Sequence, residues 1–219
     1  MTAHPPQAAG VDALYEDADL LVLCKPAGLL CVPGRGPDKQ DCLSARAQQR
    51  WPGALIVHRL DQATSGLVLM ARHIEAQRRL SHAFAERQVH KRYHAVVRGL
   101  LSADGAWHEI DLPIAADWER RPLRVIEPVQ GKPSRTRWRA LAHDTAAQTT
   151  RVELEPVTGR THQLRVHLAA LGHPILGDAL YADPTTQALA PRLLLHAAEL
   201  RFAHPAHGGA CAFAAPADF

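Results

Sequence analysis

The 219-residue chain carries 47% hydrophobic and 21% charged residues and a formal net charge of +3, a balance that supports a substantial core and excludes a disordered chain. No apolar run approaches the roughly 20 residues of a transmembrane helix, and the opening MTAHPPQAAG lacks the basic start and apolar core of a secretion signal, so a cytoplasmic protein with no membrane contact is expected. Cys24, Cys31, Cys42 and Cys211 form no CxxC pair, the 14 histidines include no HExxH, and His162 and His167 are spaced poorly for one helical face; the expectation is buried thiols and no metal site.

In chain order, LYEDADLLVLC at 14–24 predicts a turn through Glu16 and Asp19, then a short buried strand over 20–23 that KPAG at 25–28 stops. DCLSARAQQRW at 41–51 predicts a helix with Asp41 as its N-cap and Pro52 just beyond its end. A strand over 54–57 then delivers His58, Arg59 and Asp61 at its end. LVLMA at 67–71 is apolar at successive positions, which predicts a central strand buried on both faces.

Residues 74–87 predict a helix with Ile74, Gln77, Leu80 and Phe84 along one side, and KRYHAVV at 91–97 predicts a strand. Ala103-Asp104-Gly105 turns the chain, and two antiparallel strands are expected over 136–142 and 149–154, joined by HDTAAQ. Thr158-Gly159 is a further turn. HQLRVHLAALG then predicts an amphipathic helix with Leu164, Leu168 and Leu171 on one side and Gly172 as C-cap. Closing strands are expected over 193–195 and 210–213. With no internal repeat and no low-complexity linker, the expected architecture is one α+β domain over residues 1–219, with a mixed, largely antiparallel central sheet flanked by helices and loops.

Charge is uneven along the chain. Residues 115–139 hold seven basic and three acidic residues, an excess larger than that of the whole chain; this suits a polyanion, or equally a solvated arginine-rich hairpin. Asp61 is the carboxylate best placed for chemistry, at a strand end before Thr64-Ser65-Gly66, although from HRLD alone an aspartate capping that turn is the simpler reading. TGRTHQLRVH at 158–167 brings Arg160, His162, Gln163 and Arg165 to a helix N-terminus, where an anion is favoured. Two arginine-bearing turns and one acid suggest a buried ion pair.

HRLDQATSGL at 58–67, KPAG at 25–28, KRYHAVVRG at 91–99, TGRTHQLRVHLAALGHPILGD at 158–178 and LLLHAAELRFAHP at 193–205 together resemble the RluA-type pseudouridine synthases, in the family's order and over most of the chain. DWERRP at 117–122, the ending APADF and the absence of an S4-like RNA-binding domain are most similar to the subgroup with dual specificity for 23S rRNA and tRNA.

The resemblance implies an RNA uridine isomerase. In it Asp61 is the essential carboxylate that starts release of the base from its ribose, and Arg160 is the arginine that pairs with that acid. Tyr93 packs against the uracil and is a candidate for removing the C5 proton, and Arg59 enters the stack when the target uridine flips out. The implied reaction uses no cofactor and no metal, and it needs a closed pocket, to which Leu164, His58 and Thr64 are assigned, with Leu67, Val68 and Leu69 as further walls.

Arg120, Arg121, Arg124, Lys132 and Arg165 are the expected RNA contacts beside Arg59. His162 and Gln163 are positioning residues, and Lys25 is structural. The implied partners are 23S rRNA and tRNA stem-loops recognised by phosphates and loop shape, with a monomeric protein and no obligate protein partner. Three other readings are weighed: a single RNA substrate; a non-catalytic RNA-binding protein on the same fold, which has no need of Asp61, Arg160 and Tyr93; and a small-molecule nucleoside enzyme, which needs neither Arg59 nor the basic segment.

Overall fold

The computed structural model describes residues 11–102 and 104–219. The opening MTAHPPQAAG and Ala103, which begins the expected 103–105 turn, lie outside them. The chain divides into two units, Met1–Val89 with Leu200–Ala215 and His90–Glu199 with Pro216–Phe219. Strand β11 (Leu195–Ala203) starts in the second and finishes in the first.

In the first unit, β1 (Asp12–Glu16), β2 (Leu20–Lys25), β4 (Ser65–Ala71) and the end of β11 lie in that order; β3 (Leu55–Ile56) pairs with β4, and β12 (Ala210–Ala214) with β11. The ladders of β2 with β1 and β4 are antiparallel. All seven residues of β4 are buried, as the apolar run LVLMA that fills most of it demands of a strand with neighbours on both edges. Side chains alternate across a strand, so Leu20 and Val22 of β2 and Leu67, Leu69 and Ala71 of β4 share one core cluster with Ala76 and Leu80 of helix α2 (Ile74–Ala85) and with Phe202. Burying each such large side chain contributes roughly 1.5–3 kcal/mol.

Several expectations for this unit are corrected. The stretch before Asp17 is strand β1, not part of a turn. Helix α1 (Leu43–Arg50) is capped by Cys42 without a side-chain bond, because Asp41 is held instead by Arg46, at 2.7 Å from Nε and 2.6 Å from a terminal nitrogen. Ile74 is 51% exposed, so the buried face of α2 runs through Ala76 and Leu80. Cys31 and Cys42 are buried, whereas Cys24 and Cys211 are only half-buried, and none of the four is in a disulfide.

The β1–β2 turn is locked by Asp17. Its Oδ1 accepts from the backbone N–H groups of Asp19 and Leu20, and its Oδ2 from Tyr15 and His204. Asp19 in turn accepts from His73, whose Nδ1 caps α2 at Ala76. Asp17, Asp19 and His204 form the one group of potential metal ligands among the described residues, and these hydrogen bonds are what occupies their atoms.

The second unit orders the start of β11, β5 (His90–Arg98), β10 (Thr149–Pro156), β9 (Arg135–Asp144) and β6 (His108–Asp111), with antiparallel ladders β5–β10, β10–β9 and β9–β6. A separate hairpin joins β7 (Ile114–Ala116) to β8 (Arg124–Ile126). Helix α3 (Gln163–Ala170) packs against β8, β9 and β10, and α4 (Pro184–Ala188) is capped by Asp183.

The β9–β10 pair is where alternation placed it, but β6, β7 and β8 have no counterpart in the sequence reading, because three- or four-residue strands are too short to show a period. Helix α3 is not amphipathic. Six consecutive residues from Gln163 to Leu168 are buried, since strands cover more than one of its sides, and Leu171, expected on the apolar face, is 39% exposed. Gly172, at φ +81°, takes the left-handed position that ends the helix. Strand β11 begins only at Leu195, where the 193–195 strand was expected to end. No helix among the described residues is long and apolar enough to cross a membrane.

Candidate active site

Asp61 lies in the loop between β3 and β4, and the residues alternating with it are anchored. His58 Nε2 accepts from the backbone N–H of Leu69 at 3.0 Å, and its ring stacks on Phe84 at 4.5 Å. Leu60 is buried and its N–H donates to Cys31 Sγ at 3.1 Å. The Gln62 carbonyl accepts from Lys25 Nζ at 3.0 Å and from the Gly28 N–H at 2.8 Å, while Gln62 Nε2 donates back to Gly28. Thr64, itself buried, closes the turn by donating its N–H to the Asp61 carbonyl. Positions 58, 60 and 62 thus fix the loop to the unit while Arg59 is exposed and Asp61 half-buried.

Lys25 is fully buried at the end of β2, and its ammonium donates to three carbonyls, those of Pro26 (2.8 Å), Leu29 (2.9 Å) and Gln62. Burial lowers its pKa to about 8, opposed by Cys31 and Asp61. It therefore stays charged at neutral pH, with three N–H groups for three acceptors. Leu67 and Leu69, expected as pocket walls, pack within the core cluster, and Val68 is fully buried.

In the second unit, Tyr93 stands half-buried on β5 opposite Leu154 of β10. Arg160 is exposed in the turn before α3; its N–H donates to Gln163 Oε1 at 3.0 Å and its Nε to the Pro133 carbonyl at 3.4 Å. Gln163 is buried with both amide ends engaged. Its oxygen also accepts from Thr158, and its nitrogen donates to the Arg135 carbonyl and to Thr136. This side chain ties the TGR turn to β9. Leu164 is 7% exposed.

The expectation for Arg165 is overturned. Rather than facing RNA, it is 4% exposed, and its guanidinium forms a two-pronged bond to Asp178 at 2.8 and 2.6 Å. Asp178, 1% exposed, also accepts from the backbone of Leu180 and Tyr181. The Arg165 head lies 5.1 Å from the Tyr181 ring, whose hydroxyl is hydrogen-bonded to His162 Nδ1 at 2.7 Å and accepts from the Arg124 N–H at 2.9 Å. Asp178 ends the GHPILGD stretch, and its partnership with Arg165 has no signal in the spacing. His162, at φ +57°, is left-handed at the start of the helix.

Four of the seven basic residues of the segment meet carboxylates, three of them across strands to residues outside it and one within it. Arg135 meets Glu109 (3.7 Å), Arg137 meets Glu155 (3.4 Å) and Arg139 meets Glu153 (2.6 Å) across neighbouring strands, and Arg120 bonds Asp117 at 2.7 Å. Arg121 lies over the Trp118 ring at 3.9 Å. A cavity of about 680 Å³ in this unit is lined by Trp118, Arg124, Glu127, Lys132, Gly159 and Arg160 among others, three cations against one carboxylate. Trp118 entered the sequence reading only as a letter in DWERRP; an aromatic amid arginines is the signal that marks it.

A model of the RNA pseudouridylate synthase family matches residues 19–170. The chain is 48% identical over 217 residues to the dual-specificity RNA pseudouridine synthase RluA of Escherichia coli strain K12, across 99% of this chain and 97% of that protein. It is 44% identical over 216 residues to the Haemophilus influenzae protein of the same name, again across 99% and 97%. Among solved structures, human RNA pseudouridylate synthase domain containing 1 matches with a TM-score of 0.79 at 32% identity, covering 98% of this chain and 86% of that one.

Proposed function

Since the chain belongs to the RNA pseudouridylate synthase family, and so is an isomerase that converts uridine to pseudouridine in RNA, we propose that its substrates are stem-loops of 23S rRNA and tRNA and that Asp61 is its acting carboxylate. The observation that carries the assignment is the anchored loop: His58, Leu60 and Gln62 are each bonded to the body of the unit, so Arg59 and Asp61 are presented from a rigid mount. Dual specificity is supported by the name shared by relatives 44–48% identical over nearly the whole chain.

In this reading Arg59 fills the gap left in the RNA when the uridine flips out, its planar head replacing part of the lost stacking. Asp61 acts at the ribose as the C1′–N1 bond breaks, and Arg160 steadies that carboxylate's charge. The uracil rotates, a C5–C1′ bond forms, and the C5 proton leaves to Tyr93 while N1 gains one. Atoms balance without an oxidant, a reductant or a metal. A single catalytic domain working as a cytoplasmic monomer completes the reading.

The test incubates the protein with unmodified 23S rRNA and tRNA transcripts and maps pseudouridine, with Asp61→Asn beside the wild type. Product on both RNAs, lost in the variant by roughly 10³-fold or more, is the expected result. Product from Asp61→Asn at the wild-type rate removes Asp61 from its role, and product on one RNA alone removes the dual specificity. Binding without isomerisation turns the protein into an RNA-binding module.

A further inference from the structure

We propose that the cavity at hairpin β7–β8 holds an unpaired nucleotide of the RNA substrate with its base stacked on Trp118, an inference that rests on the RNA-modifying function proposed above. Trp118 is 72% exposed, so the fold gains little from an indole at this position. The Arg121 guanidinium, 3.9 Å from the ring centroid, covers one face and holds the ring by a cation–π contact. The opposite face remains for a second planar group.

The surroundings match a nucleotide. A volume of about 680 Å³ lies within the ~300–1,000 Å³ range of small-molecule sites. Arg124, Lys132 and Arg160 line it against the single carboxylate of Glu127, the charge balance that a phosphodiester meets. Arg124 carries the one buried side-chain nitrogen among the described residues with no hydrogen-bond partner, its Nε, while its backbone N–H is fixed to Tyr181. A guanidinium short of an acceptor beside a cavity suits an anionic oxygen. Lys132 is exposed on a backbone doubly bonded to Ile114, so its ammonium is carried from a fixed point.

An indole face selects an unpaired base, since the faces of paired bases are covered by their own stack. Trp118 would thus recognise the loop of a stem-loop rather than its stem.

The test measures binding of an unmodified tRNA transcript and an unmodified 23S rRNA hairpin transcript across a salt series, for wild type, Trp118→Ala, Trp118→Phe and Lys132→Ala, with thermal melts as the folding control. Trp118→Ala is expected to weaken binding roughly five- to a hundredfold with the slope of affinity against salt unchanged, and Trp118→Phe to retain most of the affinity. Lys132→Ala is expected to lower that slope by about one. The melting temperature of the exposed-position variants should match the wild type. Wild-type affinity in Trp118→Ala, equal loss in Ala and Phe variants, or a changed salt slope in Trp118→Ala overturns the stacking role.

Pseudouridine is mapped in the same wild-type samples. Wild-type protein that binds without forming product removes the proposed function but leaves the Trp118 comparison decisive. Wild-type protein that binds neither RNA removes both.

Discussion

Lys25 donates to the carbonyl of Gln62 across 3.0 Å, which couples the end of β2 to the residue immediately after Asp61. The other two N–H groups of the ammonium go to Pro26 and Leu29, so one buried charge closes the KPAG turn and holds the Asp61 loop together. Lys25→Met should take this donor from the Pro26 carbonyl and from the buried Leu29 carbonyl and cost about 2–4 kcal/mol, read from urea unfolding midpoints. Because burial lowers the folded pKa from 10.5 to about 8, the unfolded chain binds more protons between those values. Stability from this group therefore rises with pH across that window. Midpoints measured from pH 7 to pH 11 should rise in the wild type relative to Lys25→Met; parallel curves would remove the lysine as the source.

Arg165→Ala should strand Asp178, whose side chain is fully buried beneath the guanidinium. Removing one partner of a buried pair costs roughly 3–5 kcal/mol, so a marked fall in melting temperature is expected. The double variant Arg165→Ala with Asp178→Ala should lose less than the sum of the single changes, since no uncompensated charge remains. A variant that keeps its melting temperature but loses RNA affinity would restore Arg165 to the surface role that its burial denies.

Acid should weaken the first unit through Asp17. Burial raises its pKa, but hydrogen bonds from His204, the Leu20 N–H, Tyr15 and the Asp19 N–H outweigh that and bring it down to about 2 from 3.8. A depressed carboxylate stabilises the fold above its unfolded pKa and loses that contribution as pH falls through the folded value. With partial exposure allowed for, about 1 kcal/mol is at stake between pH 4 and pH 2. Asp17→Asn should flatten the acid limb of the stability profile in that interval, and an unchanged limb would show that other carboxylates set it.

Gly177→Ala should be among the most damaging small substitutions. The residue sits at φ +73°, and a Cβ there would overlap the backbone carbonyl of Arg192, which cannot swing aside as a side-chain end would. Left-handed strain and overpacking together amount to about 2–5 kcal/mol. Denaturant unfolding measures it, and a midpoint equal to the wild type would mean that the Arg192 segment gives way.

Much of the fold was legible where a segment advertises its own environment. LVLMA announces burial on both faces, and β4 is buried throughout. The alternating strands β9 and β10 follow the same logic, as does Gly172 at the end of α3. The short strands β6 to β8 escaped because their pattern is shorter than any period. Asp41 failed as a cap because Arg46 offered it a better partner.

For the candidate site, the motifs located Asp61, Tyr93 and Arg160 in the chain, while the clamp made by His58, Leu60 and Gln62 became visible only with their bonding partners in place. By itself the sequence determined the family, the α+β composition and which short segments carry polar chemistry, since these depend on residue types at fixed local spacing. The tertiary structure decided which charges remain exposed. Arg165 is buried against Asp178, Arg137 and Arg139 meet Glu155 and Glu153 while staying partly exposed, and Trp118 stays in the open. A side chain's role in binding depends on what covers or neutralises it, and those neighbours come from segments whose distance along the chain conceals their proximity in space.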